Sequence, residues 1–94
     1  MPRPRKPRHI GCRPPASCFK PNGIPASNLQ AETLDADELE ALRLADLLQM
    51  NQIDAAQCMG VSRQTFGNIV KCARHKVALC LVQGKMLKFS LEEE

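Results

Sequence analysis

A chain of 94 residues and 10.4 kDa fits one small domain, and a core of that size leaves no room for the separate lobes of a large multidomain enzyme. Hydrophobic residues make up 44% and charged residues 24%, but three Phe and no Trp or Tyr mean that aliphatic side chains fill the core, which argues against base-stacking platforms. The net charge is only +3, no apolar run approaches the roughly 20 residues of a membrane span, and the basic, Pro-rich start leads into no secretory apolar region; the expectation is a cytoplasmic protein with no membrane partner.

The charges fall in blocks that follow the predicted elements. Residues 1–25 hold all seven prolines and the six bases Arg3, Arg5, Lys6, Arg8, Arg13 and Lys20, with no acid and no period of 2 or 3.6. Residues 1–30 therefore read as an irregular basic arm, in which Pro21-Asn22-Gly23 marks a turn. Residues 26–60 carry Glu32, Asp35, Asp37, Glu38, Glu40, Asp46 and Asp54 against Arg43 alone, while residues 61–88 return to six bases and no acid. Such alternation suggests one surface suited to a polyanion and another that repels it, the plain alternative being a solvated charged surface.

Residues 31–84 read as the folded domain. Asp35 with Glu38 three residues later is a capping box, Leu34 and Leu39 suit a hydrophobic staple, and the first helix is predicted over Ala36–Leu48. Its apolar set, Leu39, Leu42, Leu44, Ala45, Leu47 and Leu48, is too wide for one stripe and predicts cover from more than one side. Gln52–Met59 is a short helix, Gly60 can take the left-handed conformation that ends it, and Ser62 can cap the next. That helix starts at Arg63, carries an apolar seam of Phe66, Ile69, Val70, Ala73, Val77, Cys80 and Leu81, and stops at Gly84. Residues 85–94 are a tail in which Lys85–Ser90 alternates and could pair as a short strand. The expected fold is all-α, a small helix-turn-helix domain of the winged-helix or sigma-factor-like kind with the basic arm before it.

Helix, tight Gly-containing turn, helix is the DNA-binding arrangement in which the second helix enters the major groove. Ala55 and Ala56 are small where two helices must meet, and Met59, Val61, Phe66 and Ile69 supply a shared core; an ordinary helical hairpin has no need of Ala-Ala, Gly and a capping Ser at these offsets. At 100° per residue, the face opposite Phe66, Ile69 and Ala73 carries Gln64, Gly67, Asn68, Lys71 and His75, with Arg74 at its edge and no acid. Gln64 and Asn68 are candidates for adenine, Ser62, Arg63 and Thr65 for base or phosphate, and Lys71 and Arg74 for phosphate or guanine, while Gly67 lets backbone and bases approach. Plain solvent exposure is the alternative for each. Arg3, Arg5 and Arg8 could follow a minor groove, or belong to a solubilising tail.

Met1-Pro-Arg-Pro-Arg-Lys, Phe19-Lys-Pro, Asp37 to Asp46, Met59-Gly-Val-Ser-Arg-Gln-Thr-Phe-Gly67 and Ala73 to Val77 together resemble a small family of uncharacterised prokaryotic proteins regarded as DNA-binding. The resemblance spans nearly the whole chain. It implies a helix-turn-helix similar to the promoter-reading domain of sigma factors, and hence a regulator whose partner is double-stranded DNA, with homodimerisation left open. Some longer relatives join the module to a domain like those of iron–molybdenum cofactor assembly proteins, which this chain lacks; Cys58 and Cys72 look like choices of this sequence alone.

Five cysteines in a cytoplasmic protein are not a disulfide framework. His9-x2-Cys12-x5-Cys18 and Cys72-x2-His75 could ligate zinc or an iron–sulfur centre, but neither spacing is a CxxC knuckle, so plain thiols without a cofactor are the preferred reading. A metal- or redox-responsive sensor on those residues and a protein-interaction adaptor are the rivals to a DNA-binding regulator. An enzyme is disfavoured: no nucleophile, base and orienting acid occur together, His9 lying in the arm and His75 on a basic face.

Overall fold

Local capping chemistry sets the helices of the computed structural model, which describes residues 10–11 and 17–90. Helix α1 (Ala36–Leu42) starts at Asp35, whose backbone N–H donates to Glu38 Oε1 at 2.8 Å and closes the capping box. Helix α2 (Gln52–Met59) starts at Asn51, whose side chain accepts from the Asp54 N–H at 2.8 Å. Helix α3 (Arg63–Gln83) is capped by Ser62 Oγ, which accepts from the Thr65 N–H at 3.0 Å. Gly60 (φ 70°) and Gly84 (φ 68°) end α2 and α3 in the left-handed conformation, which costs a glycine no Cβ clash.

The first helix does not run regularly to Leu48. Residues Arg43–Leu47 widen into a single π turn, closed by the Leu48 N–H on Arg43 O at 2.9 Å, and Gln49 then takes a left-handed φ of 59° before the Met50 N–H reaches Leu44 O. In an unbroken helix Leu48 would lie one turn beyond Leu44 on the buried side. The extra residue in the turn rotates the later positions by about 100°, so Leu44 is buried while Leu47 and Leu48 are 74% and 51% exposed. The expected cover from several sides stops before Leu47.

Ala41 and Leu44 of α1, Ala55, Ala56 and Met59 of α2, and Phe66 and Val70 of α3 form the core, with Ile10, Leu42, Ala45, Met50, Val61 and Ile69 packed around it. Ile10 thus anchors one point of the 1–30 segment on the helices. At the next residue a methyl group on Gly11 would come within 2.6 Å of Arg43 Nη2 and 2.9 Å of Glu40 Oε2, so the chain passes tightly over that ion pair.

The fold is mixed α/β rather than all-α. Strands β1 (Cys18–Phe19), β2 (Ala31–Leu34) and β3 (Met86–Phe89) form one sheet in the order β1-β3-β2, with β1 antiparallel and β2 parallel to β3. Cys18 pairs with Lys88, and Leu34 with Phe89. The alternation in Lys85–Ser90 foretold β3, whereas two- and four-residue partners are too short for period-2 patterning to stand out. Phe19 meets Phe89 edge to face, with ring centroids 5.8 Å apart, and Leu34 is buried against the helices. The Asn22-Gly23 turn read from the sequence connects β1 towards a short 3₁₀ turn at Ala26–Asn28, with Lys20 Nζ donating to Ile24 O at 2.7 Å.

Candidate nucleic-acid interface

Three residues, Gly60 to Ser62, separate α2 from α3, and the buried Ala55 and Ala56 let the two helices approach over Phe66. The 21 residues of α3 make a rod of about 30 Å. Its outward stripe steps by four and three through Gln64, Asn68, Lys71, His75, Ala78 and Val82, all exposed. The first four are polar or basic and the last two apolar, so one face changes character halfway along.

The candidate residues divide into three groups. Arg63, Gln64, Asn68 and Lys71 are exposed as the wheel requires, and Arg63 and Lys71 make no ion pair with another described residue. Ser62 and Thr65 are joined to each other, Ser62 Oγ donating to Thr65 Oγ1 at 2.9 Å besides its cap, and Gly67 is half-buried beside α2, where a methyl group would have Gln52 Nε2 nearest at 3.8 Å. Arg74 is committed elsewhere: Nη2 and Nε reach Asp46 Oδ1 and Oδ2 at 2.7 and 3.1 Å. Arg3, Arg5 and Arg8 lie outside the described residues.

Arg74 is one of three bases in the 61–88 block that reach back to the acidic block. Lys76 Nζ lies 2.7 Å from Glu38 Oε1 and donates to Thr33 O, and Lys85 Nζ lies 3.2 Å from Glu32. The expected separation into an attractive and a repelling surface is therefore corrected: folding brings the two blocks side by side, because α1 and β2 pack along α3. Thr65, Asn68, Ile69 and Cys72 share a shallow hollow of about 280 Å³ with Asp35, Asp37 and Glu38. Asn68 thus stands on the acidic shoulder of the stripe, and Gln64, Lys71 and His75 stand beyond it.

These contacts tune the charges. Burial alone would raise the Glu38 carboxyl, but the Asp35 N–H and the Lys76 ammonium outweigh it and hold the group below its ordinary value. Burial pulls Lys76 the other way, and Glu38 more than compensates, keeping the ammonium above its usual range. The hydrogen bonds from Arg74 lower Asp46, and those to Asp46 raise Arg74. Cys72 is raised by its hydrogen bond to Glu38, with burial adding to it, so its thiol stays protonated at neutral pH.

Among the described residues no group of three or more His, Cys, Asp or Glu is arranged to hold a metal ion. Cys18 lies in β1, Cys72 and His75 are exposed on α3, and His9 and Cys12 lie outside the described residues. Cys80 is buried as a small core residue, as its seam position suggests, whereas Cys58 and Cys72 are exposed. Leu81 also leaves the predicted seam and is exposed, and Asp46, the partner that immobilises Arg74, carries no sequence signal because the pair is 28 residues apart.

No solved structure matches the chain. It is 76% identical over 87 residues to a UPF0251 protein of Vibrio vulnificus (strain YJ016), covering 93% of this chain and 87% of the relative. A UPF0251 protein of Vibrio cholerae serotype O1 (strain M66-2) is 58% identical, with 93% and 89% covered, and one of Shewanella pealeana 54% identical, with 93% and 91% covered. No helix among the described residues is long and apolar enough to cross a membrane. Residues 1–91 match the family described as protein of unknown function DUF134, and the chain belongs to that family.

Proposed function

We propose that this protein binds double-stranded DNA in the cytoplasm as a transcriptional regulator, with α3 as the helix that enters the major groove, α2 bracing it as in a helix-turn-helix, and the three-stranded sheet that β3 completes after α3 acting as a small wing. The observation that carries the reading is the acid-free, exposed run of Arg63, Gln64, Asn68 and Lys71 over the first turns of α3, directly after a three-residue turn. Amides at Gln64 and Asn68 can pair with adenine edges, and Arg63 and Lys71 are placed for phosphates on either side. The arm adds Arg3, Arg5 and Arg8 as minor-groove or phosphate contacts. Metal or redox sensing has less support, since Glu38 beside Cys72 holds its thiol above the ordinary range and so protonated at neutral pH.

The test is selection of bound fragments from genomic DNA by the purified protein, followed by titration of the selected site at several salt concentrations. Two cations on α3 and three on the arm predict a slope of log K against log salt of roughly −4 to −5, and deletion of residues 1–9 should make it shallower by up to about three. A flat salt response, or no enrichment of any fragment, would remove DNA as the ligand.

A further inference from the structure

Ile10 and Gly11 follow nine residues that carry the cations Arg3, Arg5, Lys6 and Arg8. Ile10 packs against the helical core, and Gly11 crosses the Glu40–Arg43 pair so closely that a methyl group there would lie 2.6 Å from Arg43 Nη2 and 2.9 Å from Glu40 Oε2. Gly11 is not among the glycines with a positive φ, so glycine serves here for close approach and not for backbone freedom. The surface beneath it does not swing aside freely. Arg43 Nε and Nη2 donate to the two Glu40 oxygens at 2.8 and 2.9 Å, and the Glu40 side chain is only 3% exposed. Displacing the guanidinium would take that cation away from a buried carboxylate, which is costly.

We propose that Ile10, Gly11 and the Glu40–Arg43 pair form a seat that fixes the root of residues 1–9, so that Arg3, Arg5, Lys6 and Arg8 are delivered to DNA phosphates from a constant point beside α3; this rests on the DNA-binding reading above. Gly11, Glu40 and Arg43 are then positioning residues, which act on DNA through the four cations. Nine extended residues reach about 30 Å, as far as α3 is long. From this root the cations can therefore meet phosphates alongside Arg63 and Lys71. Without the seat, the next described element that holds the chain is β1, from Cys18. The stretch between root and Arg5 then grows from five residues to thirteen. Local concentration falls as about the 3/2 power of that length, so it drops roughly fourfold. The root also moves to an edge strand of the sheet. A tail that acted by its charge alone would be indifferent to Gly11.

Gly11→Val alters no charge and tests the seat in the full chain. In the free protein, nuclear Overhauser contacts from the Ile10 methyl groups to the helical core should be present in wild type and lost in Gly11→Val, with helical circular dichroism kept. On the selected DNA site Gly11→Val should bind roughly fourfold more weakly than wild type. In a second background, carrying Arg3→Gln, Arg5→Gln, Lys6→Gln and Arg8→Gln, the same change should alter binding by no more than about 1.5-fold, because no cation is left to position. An equal loss in both backgrounds would mean that Gly11 merely supports the fold, and would overturn the seat. Equal binding by wild type and Gly11→Val, a wild-type Ile10 without core contacts, or a Gly11→Val chain that keeps them would overturn it as well. A wild-type chain that shows the Ile10 contacts and binds no DNA would instead overturn the DNA-binding reading itself. Should Gly11→Val fail to fold, Ile10→Ala, which removes the anchoring side chain and adds no bulk, carries the same predictions for DNA binding in both backgrounds.

Discussion

The guanidinium of Arg74 lies in a two-point contact with the carboxylate of Asp46, at 2.7 and 3.1 Å, joining the middle of α3 to the wide turn at the end of the first helix. Both side chains are about half exposed, so the pair adds little to stability, on the order of 0–1 kcal/mol. Its larger effect is to occupy a cation that stands at the edge of the proposed DNA face. Asp46→Asn should leave the melting temperature almost unchanged while strengthening binding to random and selected DNA alike and steepening the salt slope by about one. Arg74→Ala should weaken binding less than Lys71→Ala does, because the arginine must first leave Asp46. Comparison of the salt dependence of the three variants checks both statements.

Gln64 and Asn68 are exposed, four residues apart, and contribute nothing to the core. Each change to Ala should alter stability by no more than about 0.5 kcal/mol. On the selected site each should cost roughly 1–3 kcal/mol of binding, and much less on random DNA, because a bidentate amide contact is lost only where the right base is present. Equal losses on every sequence would show that neither residue reads bases. The two can also differ from each other: Asn68 borders Asp35, Asp37 and Glu38, which repel a phosphate backbone, so Gln64 should carry the greater part of the discrimination.

Gly67 offers a test in which stability and binding move in opposite directions. It lies inside a regular helix, and an added methyl group would meet nothing closer than Gln52 Nε2 at 3.8 Å, an ordinary contact. Gly67→Ala should therefore stabilise the fold by roughly 0.5–1 kcal/mol, the usual gain of alanine over glycine in a helix interior. If the absent side chain serves close approach of backbone to DNA, the same change should weaken binding to the selected site. Thermal unfolding and a DNA titration on one preparation measure both.

Glu38 gives the fold an acid limit. Its carboxylate is held below the ordinary glutamate value, so its contribution is complete above about pH 4.3 and is lost as the pH falls through the lower folded-state value. Glu38→Gln should cost about 1–2 kcal/mol at pH 7, where it removes the Lys76 ion pair and weakens the capping box, and the difference from wild type should shrink towards pH 3. Lys76, raised above its ordinary value, contributes fully below that value and loses its part only at strongly alkaline pH. Denaturant unfolding at several pH values tracks the two limits separately.

What the sequence reveals about this fold is set by the distance over which each signal acts. The starts and stops of α2 and α3 are legible because Gly60, Ser62 and Gly84 act on backbone groups within a few residues. The exposure of Gln64, Asn68, Lys71 and His75 is legible too, since it needs only the helical period and the position of Phe66. The π turn at Arg43–Leu47 is not, because five residues of good helix-forming character give no sign of one extra residue in the turn, and that extra residue is what exposes Leu47 and Leu48. Nor are β1 and β2 legible, since their pattern is completed only by a strand at the other end of the chain. The pairing of Arg74 with Asp46 and of Lys76 with Glu38 escapes for the same reason: charge blocks read along the sequence do not tell which faces will meet.

The central strand of the sheet, β3, is the last element among the described residues. Among the described residues β1 and β2 both pair with β3 and not with each other, across sequence separations such as Leu34 to Phe89, so there neither strand has a partner until Met86–Phe89 arrives. The helices can gather locally, whereas closing the sheet must overcome the entropy of joining segments as far apart in sequence as Cys18 and Lys88. During synthesis the sheet side of α3 should therefore remain uncovered until residues 86–89 have been made, and removal of residues 85–94 should leave a helical but unclosed state open to proteases and to self-association.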